Sequence, residues 1–131
     1  MAYIKYKELT KYFNFSEEID PKYVPPYVKD YVSEGEHIYA AYKTKRDKAV
    51  FTDKSMILFD VLYFFGLSKK IHVIPYKSIS SSAVVFYGTT GAILLSMDSG
   101  YQVRLNFVGL SPKEKTRLRL LYCHIMDKVK K

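Results

Sequence analysis

Residues 36–107 read as seven short strand-like runs at regular spacing, the first of them alternating apolar and polar side chains, and few folds accept that pattern. The runs are 37–42, 48–52, 56–62, 69–75, 80–87, 92–97 and 101–107. Among the turns between them are Lys43-Thr44-Lys45-Arg46-Asp47, Thr52-Asp53-Lys54-Ser55 and Gly88-Thr89-Thr90-Gly91. Asp98-Ser99-Gly100 is the tightest hairpin signal in the chain. Antiparallel strands this short and this regularly spaced predict a closed or nearly closed barrel.

A helix with an explicit start follows them. Ser111-Pro112-Lys113-Glu114 sets a capping serine before a proline at the first helical position, with a glutamate three residues after the cap. Leu118, Leu121, Tyr122, Ile125 and Val129 then share one stripe, which predicts a helix over 111–130 with an apolar face to bury. The barrel is the partner available. The predicted fold class is therefore β-rich α+β, a seven-stranded antiparallel barrel over 36–107 capped by a C-terminal helix. Residues 1–35 read as a partly helical extension. Tyr3, Tyr6, Leu9, Tyr12 and Phe13 recur at helical spacing, and Asp20-Pro21 and Val24-Pro25-Pro26 turn the chain. A short helix then fits 26–33 before Glu34-Gly35 stops it.

A chain of 131 residues fits one domain with one core. Its single cysteine, Cys123, excludes an internal disulfide and a multi-cysteine zinc site. No segment reads as a signal peptide. The longest apolar run, 56–67, is broken by Asp60 and falls short of the ~20 residues that span a bilayer. The expectation is a soluble protein, cytoplasmic or peripheral at the inner face of the membrane. A net charge of +8 favours acidic partners.

Three segments carry a family resemblance. Ala49-Val50-Phe51-Thr52-Asp53-Lys54-Ser55-Met56-Ile57-Leu58-Phe59-Asp60 resembles the first signature of bacterial PH (pleckstrin-homology-like) domains. Ile74-Pro75-Tyr76-Lys77-Ser78-Ile79 is similar to a second, and Gly66-Leu67-Ser68-Lys69-Lys70 to the connection between them. Ser55 stands where that family usually has arginine. The likeness runs from residue 35 to about 127. It implies a PH-like domain over 36–131, a tendency to self-associate, and a family whose members mostly lack an established ligand.

Two surfaces stand out as candidates. Leu62, Tyr63, Phe64, Phe65 and Leu67 form a hairpin tip with three consecutive aromatics. Alternate side chains of a strand point to opposite faces, so a small barrel cannot bury all three. Protein–protein contact or self-assembly, contact with a membrane, and burial by the N-terminal helix each account for them. The second surface is basic: Lys43, Lys45, Arg46 and Lys48 in the first turn, with Lys69 and Lys70 after the aromatic tip. These are candidates for an anionic ligand or an anionic membrane, against the plainer reading of a solvated turn. Lys5, Tyr6, Lys7, Lys11 and Tyr12 interleave bases and rings, but no nucleic-acid recognition signature accompanies them.

Chemistry finds little footing. His37, His72 and His124 are scattered, and no Asp or Glu lies at metal-ligand spacing around them. Ser78, Ser80, Ser81 and Ser82 lack a glycine-flanked elbow, and no phosphate-cradling glycine loop occurs. Cys123 reads as a small apolar residue beside the helix stripe. The reading is a binding or assembly module without metal, cofactor or small-molecule substrate, its partner another protein or a second copy. Peripheral attachment to anionic lipids is the alternative.

Overall fold

Strand-forming residues dominate from Lys11 onward, and the computed structural model, which describes residues 11–44, 47–61 and 69–130, contains nine strands among them. They are β1 (Lys11–Phe15), β2 (Glu17–Ile19), β3 (Ile38–Lys43), β4 (Lys48–Thr52), β5 (Ser55–Val61), β6 (Lys69–Pro75), β7 (Ile79–Tyr87), β8 (Thr90–Met97) and β9 (Gln102–Phe107). Two α-helices accompany them, α1 (Pro26–Lys29) and α2 (Pro112–Val129), with single 3-10 turns at Pro21–Tyr23 and Tyr76–Ser78.

The strands form two sheets, ordered β2-β3-β4-β5-β6 and β1-β9-β8-β7. All seven predicted strands are present, to within a residue or two at the ends that are described. The first two strands are additional, and among the described residues the arrangement is two sheets, not the single seven-stranded barrel expected. Residues 11–13, predicted helical, are strand. Phe13 and Phe15 are both buried while Asn14 between them is exposed. That period of two, in aromatic residues that lose side-chain freedom in a helix, outweighs the helical spacing of the tyrosines before it.

The unit spanning residues 15–75 is a meander buried on both faces of its central strands. Ala41, Val50, Ile57 and Phe59 line one face. The segment that holds α1 folds over them, so that Val24 and Val28 lie in the same cluster and Val32 packs against it. Val28 is fully buried, which stabilises this cover by about 1.5–3 kcal/mol. Pro25 and Pro26 start the helix, and its four residues suffice because tertiary packing holds them.

The second unit comprises residues 76–131 with the residues of β1 up to Asn14. Ile93, Leu95, Val103, Leu105 and Phe107 form its buried sheet face, alternating with half-buried Leu94, Ser96, Gln102, Arg104 and Asn106 on the other. β7 and β8 meet in a tight hairpin through Gly88-Thr89, and Gly88 takes the positive φ of 58° that such a turn requires. α2 starts as predicted. Ser111 Oγ accepts from the Glu114 amide at 3.2 Å, and Glu114 Oε1 accepts from the Ser111 amide at 2.9 Å. That backbone bond, with the Ser111 hydroxyl, holds the Glu114 carboxyl below its usual value despite slight desolvation. The helix buries Leu118, Leu121 and Ile125, and lies against β7, β8 and the Tyr76–Ser78 turn. Gly91 makes the close approach possible, since a Cβ there would stand 2.6 Å from Leu118 Cδ2.

Candidate binding surfaces

The register of the first sheet sets the basic residues. Lys43 at the end of β3 pairs with Lys48 at the start of β4, and Lys48 pairs with Phe59 in β5. Lys69 and Lys70 open β6 opposite Val61 and Asp60. The backbone thus brings Lys43, Lys48, Lys69 and Lys70 to one end of the sheet. Lys43 Nζ lies 3.6 Å from Glu17 Oε2, an exposed pair worth about 0–1 kcal/mol. Lys48 Nζ sits 5.8 Å from the ring centroid of Tyr27. Lys45 and Arg46 lie outside the described residues, as do Leu62, Tyr63, Phe64, Phe65 and Leu67.

Tyr27 and Tyr31 meet Phe59 edge-on, at centroid distances of 6.1 and 5.7 Å. Tyr23, in the 3-10 turn before α1, is exposed as well. Sequence reading missed these residues. Their regular spacing was the available signal, and the prolines around them drew attention to turns instead.

The Thr52–Ser55 turn holds a connected polar network. Glu36 Oε1 accepts from the Ser33 amide at 2.9 Å, and Oε2 accepts from the hydroxyls of Thr52 and of Ser55, the latter at 2.8 Å. Thr52, fully buried, also accepts from the Ser55 amide at 3.0 Å. Partial burial pushes the Glu36 carboxyl up, but the hydrogen bonds from Thr52, Ser33 and Ser55 outweigh it and hold the group below its usual value. Alongside, Asp53 Oδ1 accepts from the His37 amide at 3.1 Å. That bond is the main reason its carboxyl also lies low. The turn is thereby tied to the chain just before β3, and its residues have a structural task.

β7 presents a different surface. It ends the order of its sheet, and no strand pairs with its outer edge among the described residues. Its run Val85-Phe86-Tyr87 is 40%, 39% and 55% exposed. Nearby, the half-buried face of the same sheet carries a cavity of about 310 Å³ beside Ser81, Ser96, Gln102 and Arg104.

A family model described as bacterial PH domain matches residues 9–107 of the chain. The chain belongs to the bacterial PH domain family. The match takes in β1 and β2 as well as the seven predicted strands. Solved structures agree in fold. A pleckstrin-homology-domain protein of Shewanella loihica superposes with a TM-score of 0.70 at 22% identity, covering 89% of this chain and 99% of that one. A PH-domain-containing protein of Exiguobacterium sibiricum gives 0.69 at 20% identity, covering 88% of this chain and 62% of the other.

Two Bacillus subtilis relatives, the uncharacterized proteins YjqA and YozO, are 49% and 36% identical over 51 and 75 residues. Those matches cover 39% and 53% of this PH domain chain, but only 41% and 64% of the relatives.

No group of three or more His, Cys, Asp or Glu side chains is placed to hold a metal among the described residues of this PH domain. His124 stacks edge-on with the buried Tyr76 ring, 6.0 Å between centroids. Cys123 is exposed, not drawn in beside the helix stripe as expected, because the buried positions of α2 fall at 118, 121 and 125. Pro75 closes β6, the last strand in the order of its sheet, a place where proline is tolerated. No helix among the described residues is long and apolar enough to cross a membrane.

Proposed function

We propose that this PH domain is a non-enzymatic binding and assembly module, acting in the cytoplasm through contact with a protein, foremost a second copy of itself. The observation that carries the reading is β7: a nine-residue edge strand whose last three side chains are exposed, apolar or aromatic. Such an edge offers a row of backbone donors and acceptors to another strand, and native proteins usually cover or charge it. The aromatic tip, Leu62, Tyr63, Phe64, Phe65 and Leu67, is the second contact proposed. The module proposed for binding spans residues 36–131, with residues 1–35 as an N-terminal extension that supplies β1 and β2 to the two sheets.

Light scattering across a wide concentration range tests the reading, comparing wild type with a Val85→Lys, Tyr87→Lys variant and a Phe64→Asp, Phe65→Asp variant. Assembly abolished by the first variant places the contact at β7, and assembly abolished by the second moves it to the tip. Wild type that stays monomeric throughout ends the self-assembly reading.

Peripheral binding to anionic lipids is the second reading, favoured by the gathering of Lys43, Lys48, Lys69 and Lys70 at one sheet end, with Lys45 and Arg46 in the same turn. Co-sedimentation with anionic and neutral liposomes decides it. Binding indifferent to lipid charge and to salt would refute the electrostatic attachment.

A further inference from the structure

The cavity beside β7 combines features that neither reading uses. Antiparallel register places Ser81, Ser96 and Gln102 on one rung and Ala83, Leu94 and Arg104 on the next. The cavity of about 310 Å³ lies over these two rungs, within the range of small-molecule sites. Among the described residues its lining holds one cation and no carboxylate.

Arg104 is held in place from behind. Its Nε donates to Asn106 Oδ1 at 2.8 Å, and Asn106 Nδ2 in turn donates to Asn14 Oδ1 at 3.1 Å. An arginine has five N–H donors, so fixing Nε leaves the planar terminal fork without a protein partner among the described residues. The Ser81 and Ser96 hydroxyls are likewise uncommitted there, while Ala83 and Leu94 add an apolar floor. A guanidinium oriented through Nε, two hydroxyl donors and no competing anion make a complementary setting for an oxyanion. Bidentate pairing with the Arg fork would orient it.

We infer that this cavity is a binding site for a small soluble oxyanion, a carboxylate or phosphate monoester with a short apolar body. The site is independent of self-assembly and of the lysines at the end of the other sheet, so its failure would leave both readings standing.

The test is a titration of the full chain, followed by amide NMR and calorimetry, with butyrate and phenyl phosphate at constant ionic strength and butyramide as the uncharged control. Saturable shifts at residues 81–83, 94–96 and 102–104 are expected from at least one anion and not from butyramide. Arg104→Gln should weaken that binding about tenfold or more, and Ser96→Ala by a smaller factor. Asn106→Ala, which frees the Arg104 side chain while keeping its charge, should weaken it to an intermediate degree. Each variant is first checked for a native circular dichroism spectrum. If Arg104→Gln misfolds, Ser96→Ala and Asn106→Ala carry the comparison. Absence of saturable shifts with both anions, or anion binding unchanged by these substitutions, would overturn the site.

Discussion

Replacing Glu36 with alanine should cost roughly 1.5–3 kcal/mol of stability, a loss that can be assembled from the three bonds its carboxylate accepts. The Ser33 amide is exposed and can turn to water, so its share is about 0.5–1 kcal/mol. The Thr52 hydroxyl has a second acceptor in the Ser55 carbonyl at 3.0 Å and can re-route to it at little cost. The Ser55 hydroxyl has no other acceptor among the described residues and is only 7% exposed, so it contributes the largest part, about 1–2 kcal/mol. For a domain of this length the sum corresponds to a fall in Tm of about 5–11 °C.

The pH dependence has a definite sign. The Glu36 carboxyl lies below its ordinary value of 4.5 in the folded protein, so its contribution is complete above that pH. It is lost as pH falls through the lower folded value. Urea unfolding followed by circular dichroism, at neutral pH and in steps below 4.5, measures both effects. Glu36→Gln retains one acceptor and should lose less at neutral pH, and its stability should fall less steeply in acid than that of the wild type. A Glu36→Ala protein within about 0.5 kcal/mol of wild type at neutral pH would refute the reasoning, since that is the range of ordinary surface substitutions.

Three further outcomes are expected. Gly91→Ala forces its methyl to 2.6 Å from the buried Leu118 side chain and should destabilise the protein by about 1–3 kcal/mol, measured by urea unfolding. Val28→Ala, at a fully buried site in the cover over the first sheet, should cost about 1.5–3 kcal/mol in the same assay. Ser111→Ala removes the helix cap and should lower thermal stability by about 1 kcal/mol in calorimetry.

The strands legible in the sequence were those whose pattern is local. Alternation and turn residues fixed 37–107 because a hairpin satisfies its own ladder with sequence neighbours. The helix was legible from Ser111, Pro112 and Glu114, which act within one turn. Residues 11–19 were not, because their strand state depends on partners elsewhere: β1 lies beside β9 and β2 pairs with β3. The binding surfaces divided in the same way. Basic residues near a turn can be read directly, and Lys43 and Lys48 are indeed neighbours across it. The setting of Arg104 depends on Asn14, a partner 92 residues away, and the free side of β7 depends on strand order. Neither leaves a mark in local pattern.

The place of β1 also sets a clock. Asn14 and Asn106 are 92 residues apart, an interval that takes a ribosome roughly 5–18 s to synthesise. During that time β3 to β6 can zip up from successive hairpins, each closed by a short turn. The strand carrying Phe13 has no place in its sheet until β9 has emerged, whereas the Phe15 ring can already meet Tyr42 of β3, 6.5 Å away between centroids. Closing the long loop adds little entropic cost, because that cost grows only with the logarithm of its length. The delay belongs to the order of synthesis, so refolding of the whole chain from denaturant should bypass it, whereas chains released before β9 should hold β1 unpaired.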